Sequence, residues 1–228
     1  MNLIVIEGLD GAGKSTQIKL LQSYFDSIGT KNRYMHFPRT DEPFFGELIS
    51  RFLRGEFGNL SQVNPYLVAM LYAGDRKDAG KTISDWLADD YYVLLDRYAY
   101  SNIAYQCAKL DDPTSREALK NWIFELEFKY FGIPKPSLNI FLDVPFKFTE
   151  EKLLSSRKGS DRTYLAGSID IHESSLNFQR AVREIYLSLA ESDRSLEIIN
   201  CNDINEKILP PESIFKLIKN LLSTRDII

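Results

Sequence analysis

Eight residues near the start of the chain have the spacing of a phosphate-binding loop, or P-loop: Gly8-Leu9-Asp10-Gly11-Ala12-Gly13-Lys14-Ser15. The glycines allow backbone N–H groups to surround phosphate oxygens, and the helix that follows presents its positive end to the same anion. Lys14 can reach the β- and γ-phosphates of a nucleoside triphosphate, and the Ser15 hydroxyl can bind Mg²⁺. A purely structural glycine turn is the alternative, and the positions of Lys14 and Ser15 after an apolar strand disfavour it. The triphosphate is expected to contact Gly8, Asp10, Gly11, Ala12, Gly13, Lys14, Ser15 and Thr16.

A second chemically active pair, Asp96-Arg97, follows the apolar run Val93-Leu94-Leu95. If that run is a strand, the pair lies at the carboxyl edge of a sheet, where open α/β folds bind ligands. Asp96 could then hold the metal ion directly or through water, and Arg97 could form paired hydrogen bonds with a second phosphate. In the alternative interpretation Asp96 caps the next helix and Arg97 forms a surface ion pair.

Strands and helices alternate along the chain that carries these residues. Short β-branched or aliphatic runs, most of them near-continuously apolar, predict strands at Leu3–Glu7, Arg33–Phe37, Tyr91–Asp96, Leu138–Asp143 and Leu196–Asn200. Helical spacing predicts helices at Lys14–Ile28, Phe44–Leu53, Pro65–Leu87, Ser115–Tyr130, Lys147–Ser156, Glu173–Ala190 and Pro211–Leu222. The alternation indicates an α/β fold, a doubly wound five-stranded parallel sheet flanked by helices, of the P-loop NTPase type. We expect one domain over residues 1–228, with a polar, basic lid segment at about 155–169.

Composition excludes several other classes of protein. With 28 Lys and Arg against 32 Asp and Glu, the net charge of −4 argues against general nucleic-acid binding. Cys107 and Cys201 lie far apart and favour buried, reduced thiols over a disulfide framework or a zinc site. No apolar run reaches the roughly 20 residues that cross a bilayer, and the N-terminus lacks a basic signal sequence. The sequence predicts a cytoplasmic protein.

Several motifs resemble those of the thymidylate kinase family, in the order in which the family has them. Asp96-Arg97-Tyr98-Ala99-Tyr100-Ser101-Asn102-Ile103-Ala104-Tyr105-Gln106 resembles its D-R-Y-x-x-S-x-x-A-Y-Q stretch, and Phe37-Pro38-Arg39 resembles its F-P-R element. Leu71-Tyr72-Ala73-Gly74-Asp75-Arg76 is similar to its base-binding helix segment, and Asp170-Ile171-His172-Glu173 to a D-x-x-E stretch after the lid. The residues after Glu173 match only as a strand and a helix.

The resemblance implies Mg²⁺-dependent transfer of the γ-phosphoryl group of ATP to dTMP by a homodimer. Tyr72 would stack on the thymine ring, and Arg76, one helical turn away, would donate to its O4 carbonyl. The implied dTMP contacts are Asp10, Phe37, Arg39, Tyr72, Arg76, Arg97, Asn102, Tyr105 and Gln106, the last three along the helix after the third strand. Arg39 and Arg97 would clamp the dTMP phosphate, Asp10 would contact the 3′-hydroxyl, and Tyr105 would disfavour a 2′-hydroxyl.

Positive charge for the transfer is expected from Lys14, Arg97 and the lid. The P-loop carries no arginine, unlike that of some family members, and Arg157 and Arg162 lie where the family has its lid. We predict that one of them closes over the phosphates, although the segment could also be a solvated basic loop. Ser15 and Asp96 remain the candidate metal ligands.

Two other functions are compatible with a P-loop. A deoxynucleoside kinase would act on a neutral nucleoside and need a general base, for which Glu7 at the end of the first strand is a candidate. A regulatory ATPase would bind partners according to its nucleotide state. A second phosphate clamp favours a nucleoside monophosphate as the acceptor.

Overall fold

The computed structural model describes residues 2–60, 62–154, 164–165, 170–172 and 175–228. Within these ranges the strands are β1 (Leu3–Gly8), β2 (Asn32–His36), β3 (Tyr92–Asp96), β4 (Leu138–Asp143) and β5 (Leu196–Asn200). They form one parallel sheet in the order β2-β3-β1-β4-β5. The predicted fold class is confirmed, and each strand boundary differs from its prediction by no more than one residue.

The strand order creates a crevice beside the central strand. The chain leaves β1 toward β2 on one side of the sheet, whereas it leaves β3 toward β4 on the other side. The loops after β1 and β3 therefore diverge at their carboxyl ends, which is the switch point where open α/β sheets bind ligands. Because Ile6 pairs with Asp96, the P-loop and the Asp96-Arg97 pair emerge side by side.

Helices cover both faces of the sheet and bury its apolar side chains. They are α1 (Lys14–Ser27), α2 (Phe45–Leu53), α3 (Pro65–Ala88), α4 (Ala99–Cys107), α5 (Pro113–Phe124), α6 (Phe146–Leu154), α7 (Leu176–Ser192) and α8 (Pro211–Thr224), with a π-helix at Glu125–Tyr130. Helices α1 and α8 pack through Leu21, Phe25 and Ile218 onto one face. Helices α3, α4, α5 and α7 supply the core on the other face. Both cysteines are buried, as predicted.

Three predicted helices, α5, α7 and α8, differ from those observed by two residues or more at an end; α8 continues to Thr224 rather than Leu222. The predicted end of α6 at Ser156 lies outside the described residues. Helix α5 begins at Pro113 rather than Ser115, because the Asp112 side chain accepts a hydrogen bond from Ser115 N and proline is tolerated in the first turn. The predicted helix to Tyr130 changes after Phe124 into the π-helix. Helix α7 begins at Leu176, capped by Ser175, while the predicted start at Glu173 lies outside the described residues. No helix in the described part of the chain is long and apolar enough to cross a membrane.

Candidate active site

The P-loop joins β1 to α1 in the predicted conformation. Gly11 and Gly13 have φ angles of 81° and 85°, a left-handed region that glycine adopts without steric cost. Among the described residues no side chain caps the N-terminus of α1, so its first N–H groups are available to an anion. Lys14 Nζ donates to the carbonyl oxygens of Leu9 at 3.1 Å and of Gly8 at 3.4 Å. Burial lowers the pKa of Lys14 to about 8.

The candidate metal ligands, Ser15 and Asp96, lie close together between the P-loop and the end of β3. Ser15 Oγ donates to Asp96 Oδ2 at 3.3 Å, and His36 Nδ1 lies 3.5 Å from the same oxygen. Asp96 Oδ1 is buried without a hydrogen-bond partner among the described residues. Burial raises the pKa of Asp96, but the Lys14 ammonium and His36 outweigh it and hold the pKa below its usual value. An ionised carboxylate with one uncommitted buried oxygen, next to a hydroxyl, suits Mg²⁺.

Arg97 follows Asp96 in an unusual backbone conformation and points into the same space. Its φ of 69° lies in the left-handed region, where a side chain costs about 1–2 kcal/mol. Its Nη2 donates to Asp10 Oδ1 at 2.7 Å and to the Tyr105 hydroxyl at 3.2 Å, and its Nη1 donates to Ser101 Oγ at 3.1 Å. The side chain is nearly buried. The alternative of a surface ion pair is therefore wrong, and Asp96 does not cap α4.

Glu7, the candidate base of the nucleoside-kinase alternative, is fully buried beneath Arg97. Its Oε1 accepts from Tyr98 N at 3.0 Å and Ser101 N at 3.3 Å. Its Oε2 accepts from Ser101 Oγ at 2.5 Å and from the Tyr186 hydroxyl at 2.9 Å. Glu7 does not line the cavity described below.

The base side of the site is built on a buried ion pair. Arg76 donates from Nε and Nη2 to the two carboxylate oxygens of Glu127, at 2.5 and 2.7 Å, and both side chains are almost fully buried. Asn102 Nδ2 donates to Glu127 Oε1 at 2.9 Å and to Ala69 O at 3.0 Å. These bonds orient the Asn102 amide, and its Oδ1 is buried with no partner among the described residues. Glu127 lies on the π-helix, an element frequent at functional sites.

Arg39 reaches the site but its guanidinium is already paired. Its Nε donates to Asp75 Oδ1 at 2.8 Å, its Nη2 to Asp75 O at 2.8 Å, and its backbone N to Asp75 Oδ2 at 2.9 Å. A role as a phosphate clamp requires Arg39 to use its remaining donors or to exchange partners. The Arg97 guanidinium is likewise paired, with Asp10, Ser101 and Tyr105, so the clamp by Arg39 and Arg97 stays a prediction.

The residues expected at the sugar lie in one cavity with Asp170 and His172, which follow the predicted lid segment, and with Tyr164 from within that segment. The Tyr105 hydroxyl donates to Asp10 Oδ2 at 3.0 Å, and the Tyr105 ring lies 5.0 Å from that of His172. Gln106 Oε1 accepts from Lys109 Nζ at 2.7 Å. Burial and the Lys109 ammonium lower the pKa of His172 well below its ordinary value, so the imidazole is neutral. The Tyr164 hydroxyl donates to Asp170 Oδ2 at 2.8 Å, and both side chains line the same cavity.

A single cavity of about 490 Å³ connects the phosphate and base sides. Of the residues predicted to bind a substrate or metal, it is lined by Asp10, Gly11, Lys14, Ser15, Phe37, Arg39, Tyr72, Arg76, Asp96, Arg97, Asn102, Tyr105 and Gln106. His36, Ser101, Tyr164 and His172 also line it, and the motifs gave those four no role. The remaining P-loop residues Gly8, Ala12, Gly13 and Thr16 are not in its lining. Arg157 and Arg162 lie outside the described residues.

Comparisons with known proteins identify the family. The family model described as thymidylate kinase matches residues 6–209. The thymidylate kinase of Mycobacterium tuberculosis strain H37Rv is 32% identical over 188 residues, which cover 82% of this chain and 85% of that protein. A probable thymidylate kinase of Thermococcus kodakarensis is 34% identical over 224 residues, which cover 96% of this chain and 98% of that protein.

A solved structure gives the same result at the level of the fold. The thymidylate kinase of Candida albicans superimposes on this chain with a TM-score of 0.72 and 27% sequence identity. The match covers 99% of this chain and 92% of that one. Because the family model matches most of the chain and relatives more than 30% identical match it over most of their length, the chain belongs to the thymidylate kinase family.

Proposed function

We propose that the cavity brings ATP and dTMP end to end and that the γ-phosphoryl group moves from one to the other, giving ADP and dTDP. The carrying observation is that Lys14 of the P-loop and Arg97 of the acceptor side line one continuous cavity, with Asp96 between them. ATP places its phosphates against the P-loop, and dTMP places its phosphate against Arg97. The family membership of the chain supports both substrates.

Ser15 and Asp96 would hold Mg²⁺ in this arrangement. The uncommitted Asp96 Oδ1 and the adjacent Ser15 hydroxyl supply oxygen ligands of the kind that Mg²⁺ prefers. When bound, the ion neutralises charge on the β- and γ-phosphates. His36 Nδ1 lies 3.5 Å from the other Asp96 oxygen and would help to orient the carboxylate toward the ion.

The chain's contribution to the rate is alignment and positive charge. Phosphoryl transfer asks for little covalent work from the protein, so the reaction is accelerated by holding the two phosphates in line and by placing cations against the charge that develops. Lys14 releases the carbonyls of Gly8 and Leu9 and takes phosphate oxygens instead. Arg97 binds the acceptor phosphate, and Arg157 or Arg162 is proposed to place a further positive charge against the transferred phosphoryl group.

Asn102 and Arg76 explain a preference for thymine. Because Glu127 and Ala69 O occupy the Asn102 amide N–H groups, its Oδ1 is left as an acceptor, which suits the N3–H of thymine. The Arg76 guanidinium supplies a donor for O4. Cytosine has an acceptor at N3 and an amino group at position 4, so both contacts would be mismatched. Tyr72 stacks on the ring.

Asp10 and Tyr105 form the sugar side of the acceptor site. The two side chains hydrogen-bond each other and Arg97, so the group that binds the phosphate is tied to the groups that meet the deoxyribose. Asp10 is proposed to accept from the 3′-hydroxyl. The Tyr105 ring occupies the side of the sugar on which a 2′-hydroxyl would project.

The buried position of Glu7 argues against a deoxynucleoside kinase. A general base must be within hydrogen-bond reach of the hydroxyl that it deprotonates. Both oxygens of Glu7 are occupied by donors of the protein, and the side chain has no exposed surface. The regulatory ATPase is left as the other alternative, and it differs because its ADP formation would not depend on an acceptor nucleotide.

The family resemblance also supports a cytoplasmic homodimer, which we include in the proposal. Residues 1–228 would act as one domain, with residues 155–169 closing over the phosphates. Light scattering tests the dimer, since a particle of twice the chain mass of 26.2 kDa is expected.

A panel of acceptors tests the function. ADP release is measured with ATP and Mg²⁺ in the presence of dTMP, dUMP, dCMP, AMP or thymidine. The proposal expects rapid release with dTMP and slow release with dCMP, AMP and thymidine. Release at the same rate with and without dTMP would support the regulatory ATPase and contradict the proposal.

A further inference from the structure

We infer that Glu7 is a positioning residue that holds Arg97 in its phosphate-binding orientation, through the turn that leads into α4 and through Ser101. Glu7 does not touch the cavity, and the motifs place it only at the edge of the P-loop. The inference rests on the proposed assignment of Arg97 to the acceptor phosphate.

The backbone around Arg97 is fixed by consecutive residues of β1. Arg97 N donates to Ile6 O at 3.0 Å, and Tyr98 N donates to Glu7 Oε1 at 3.0 Å. Arg97 lies in the left-handed region between these two bonds. A residue keeps such a conformation only when its surroundings determine it. The Glu7 carboxylate is the side-chain acceptor that holds the turn on its α4 side.

Glu7 also takes the place of a helix cap. The N-cap residue of α4 is Tyr98, whose side chain makes no capping bond, and Glu7 Oε1 accepts from the Ser101 N–H instead. Orphan N–H groups at a buried helix start need such an acceptor. The helix that carries Ser101, Asn102 and Tyr105 into the cavity is thereby anchored to β1, the strand that also leads into the P-loop.

Ser101 transmits the position of Glu7 to the guanidinium. Its Oγ donates to Glu7 Oε2 at 2.5 Å and accepts from Arg97 Nη1 at 3.1 Å. Tyr186 of α7 supports the same carboxylate oxygen at 2.9 Å. Because Ser101 Oγ uses its hydrogen on Glu7, its lone pairs face Arg97 and set the direction of the Arg97 donors. The guanidinium N–H donors of Arg97 therefore have one fixed orientation before a phosphate binds.

If Glu7 preorganises Arg97, its loss should weaken binding of the dTMP phosphate group and leave binding of the nucleoside part unchanged. The readout is the ratio of the dissociation constants of thymidine and dTMP, measured by calorimetry, since the two ligands differ only in the phosphate. A merely structural role for Glu7 would weaken both ligands or lower the thermal unfolding midpoint without changing the ratio. A positioning role lowers the ratio itself.

The variants are Ser101→Ala, Glu7→Ala and Glu7→Gln. Ser101→Ala removes the link while leaving the fold, and should lower the ratio by about tenfold or more, the effect of a hydrogen bond to a charged group. Glu7→Ala should lower it at least as much. Glu7→Gln should keep most of it, because the amide oxygen can still accept from Tyr98 N and Ser101 N, and the two hydroxyls can rotate to accept from the amide N–H₂.

Controls separate the possible failures. Ser84→Ala removes a helical serine that bonds only the Gly80 carbonyl, and Ile218→Ala destabilises the distant core beneath α8. Neither should change the ratio.

If Arg97→Ala leaves the ratio intact, the assignment of Arg97 to the phosphate is wrong. If Arg97→Ala lowers it but Ser101→Ala does not, or if Glu7→Gln loses as much as Glu7→Ala, the positioning role is overturned. Should Glu7→Ala fail to fold, Ser101→Ala still decides the question.

Discussion

Ser15 Oγ donates a hydrogen bond to Asp96 Oδ2 across 3.3 Å, which joins the first turn of α1 to the end of β3. The contact connects residues 81 positions apart in the chain. It exists because β1 and β3 are adjacent parallel strands, so that their carboxyl ends meet at one edge of the sheet. The same strand pairing therefore brings the proposed triphosphate and metal positions together.

Asp96→Asn should weaken the dependence of the reaction on Mg²⁺. The amide removes the charge while keeping the shape, so that the Mg²⁺ concentration for half-maximal rate should rise, or kcat fall, by about tenfold or more. Steady-state rates over a Mg²⁺ titration measure this. Asp26→Asn, on the exposed surface of α1, is the matched control. Equal Mg²⁺ curves for Asp96→Asn and wild type would remove Asp96 from the metal site.

Glu127→Gln should reduce both stability and base selectivity. The substitution leaves the buried Arg76 charge without a carboxylate, a change worth about 3 kcal/mol or more of unfolding free energy. It also frees the Asn102 amide to turn, so the preference for dTMP over dCMP in kcat/KM should fall. Denaturant unfolding and the two rate constants measure these effects.

The neighbouring Glu125→Gln is the control for that variant. Glu125 lies on the same π-helix but pairs with Lys129 in solvent, so neither property should change. Retained selectivity in Glu127→Gln, together with a loss of stability, would make the ion pair structural and remove Asn102 from base recognition.

How much of this site can be predicted from the sequence depends on how far apart along the chain the interacting residues are. The P-loop was predictable because Gly8 to Ser15 form it within one short segment of the chain. Most of the strands were predictable because buried parallel strands are continuously apolar, whereas β2 at the sheet edge is polar and partly exposed. The Arg76–Glu127 pair connects residues 51 positions apart and has no local signal. The Asp75 contact of Arg39 and the burial of Glu7 under Arg97 likewise depend on tertiary packing. Asn102 and Tyr105 were placed by the family motif, and not by any periodicity.

The ligand-free enzyme should gain stability relative to Lys14→Met as the pH rises from about 8 to above 10. Burial lowers the pKa of folded Lys14 to about 8, against an ordinary value of 10.5. In this window the unfolded chain binds the proton more tightly than the folded one, so the cost of the buried charge is relieved as the proton leaves. Denaturant midpoints of both proteins between pH 7 and 10.5 give the difference. A difference independent of pH would contradict the lowered pKa.

Arg157→Ala or Arg162→Ala should lower kcat by about tenfold or more, because an arginine that contacts transferred phosphoryl charge contributes at least that much. Both variants are assayed at saturating ATP and dTMP. Arg33→Ala, on the exposed surface of β2, is the control and should keep full activity. If both lid variants match the wild type, the positive charge comes from Lys14, Arg97 and the metal alone.

The most direct measurement follows the phosphoryl group itself. Wild type and Arg97→Ala are incubated with γ-labelled ATP, Mg²⁺ and either dTMP or thymidine, and the labelled products are separated. The account predicts that wild type transfers the label to dTMP to give dTDP, does not label thymidine, and loses the transfer to dTMP by at least about tenfold in Arg97→Ala. Label that is released only as inorganic phosphate, or transfer to thymidine at the rate of dTMP, would contradict it.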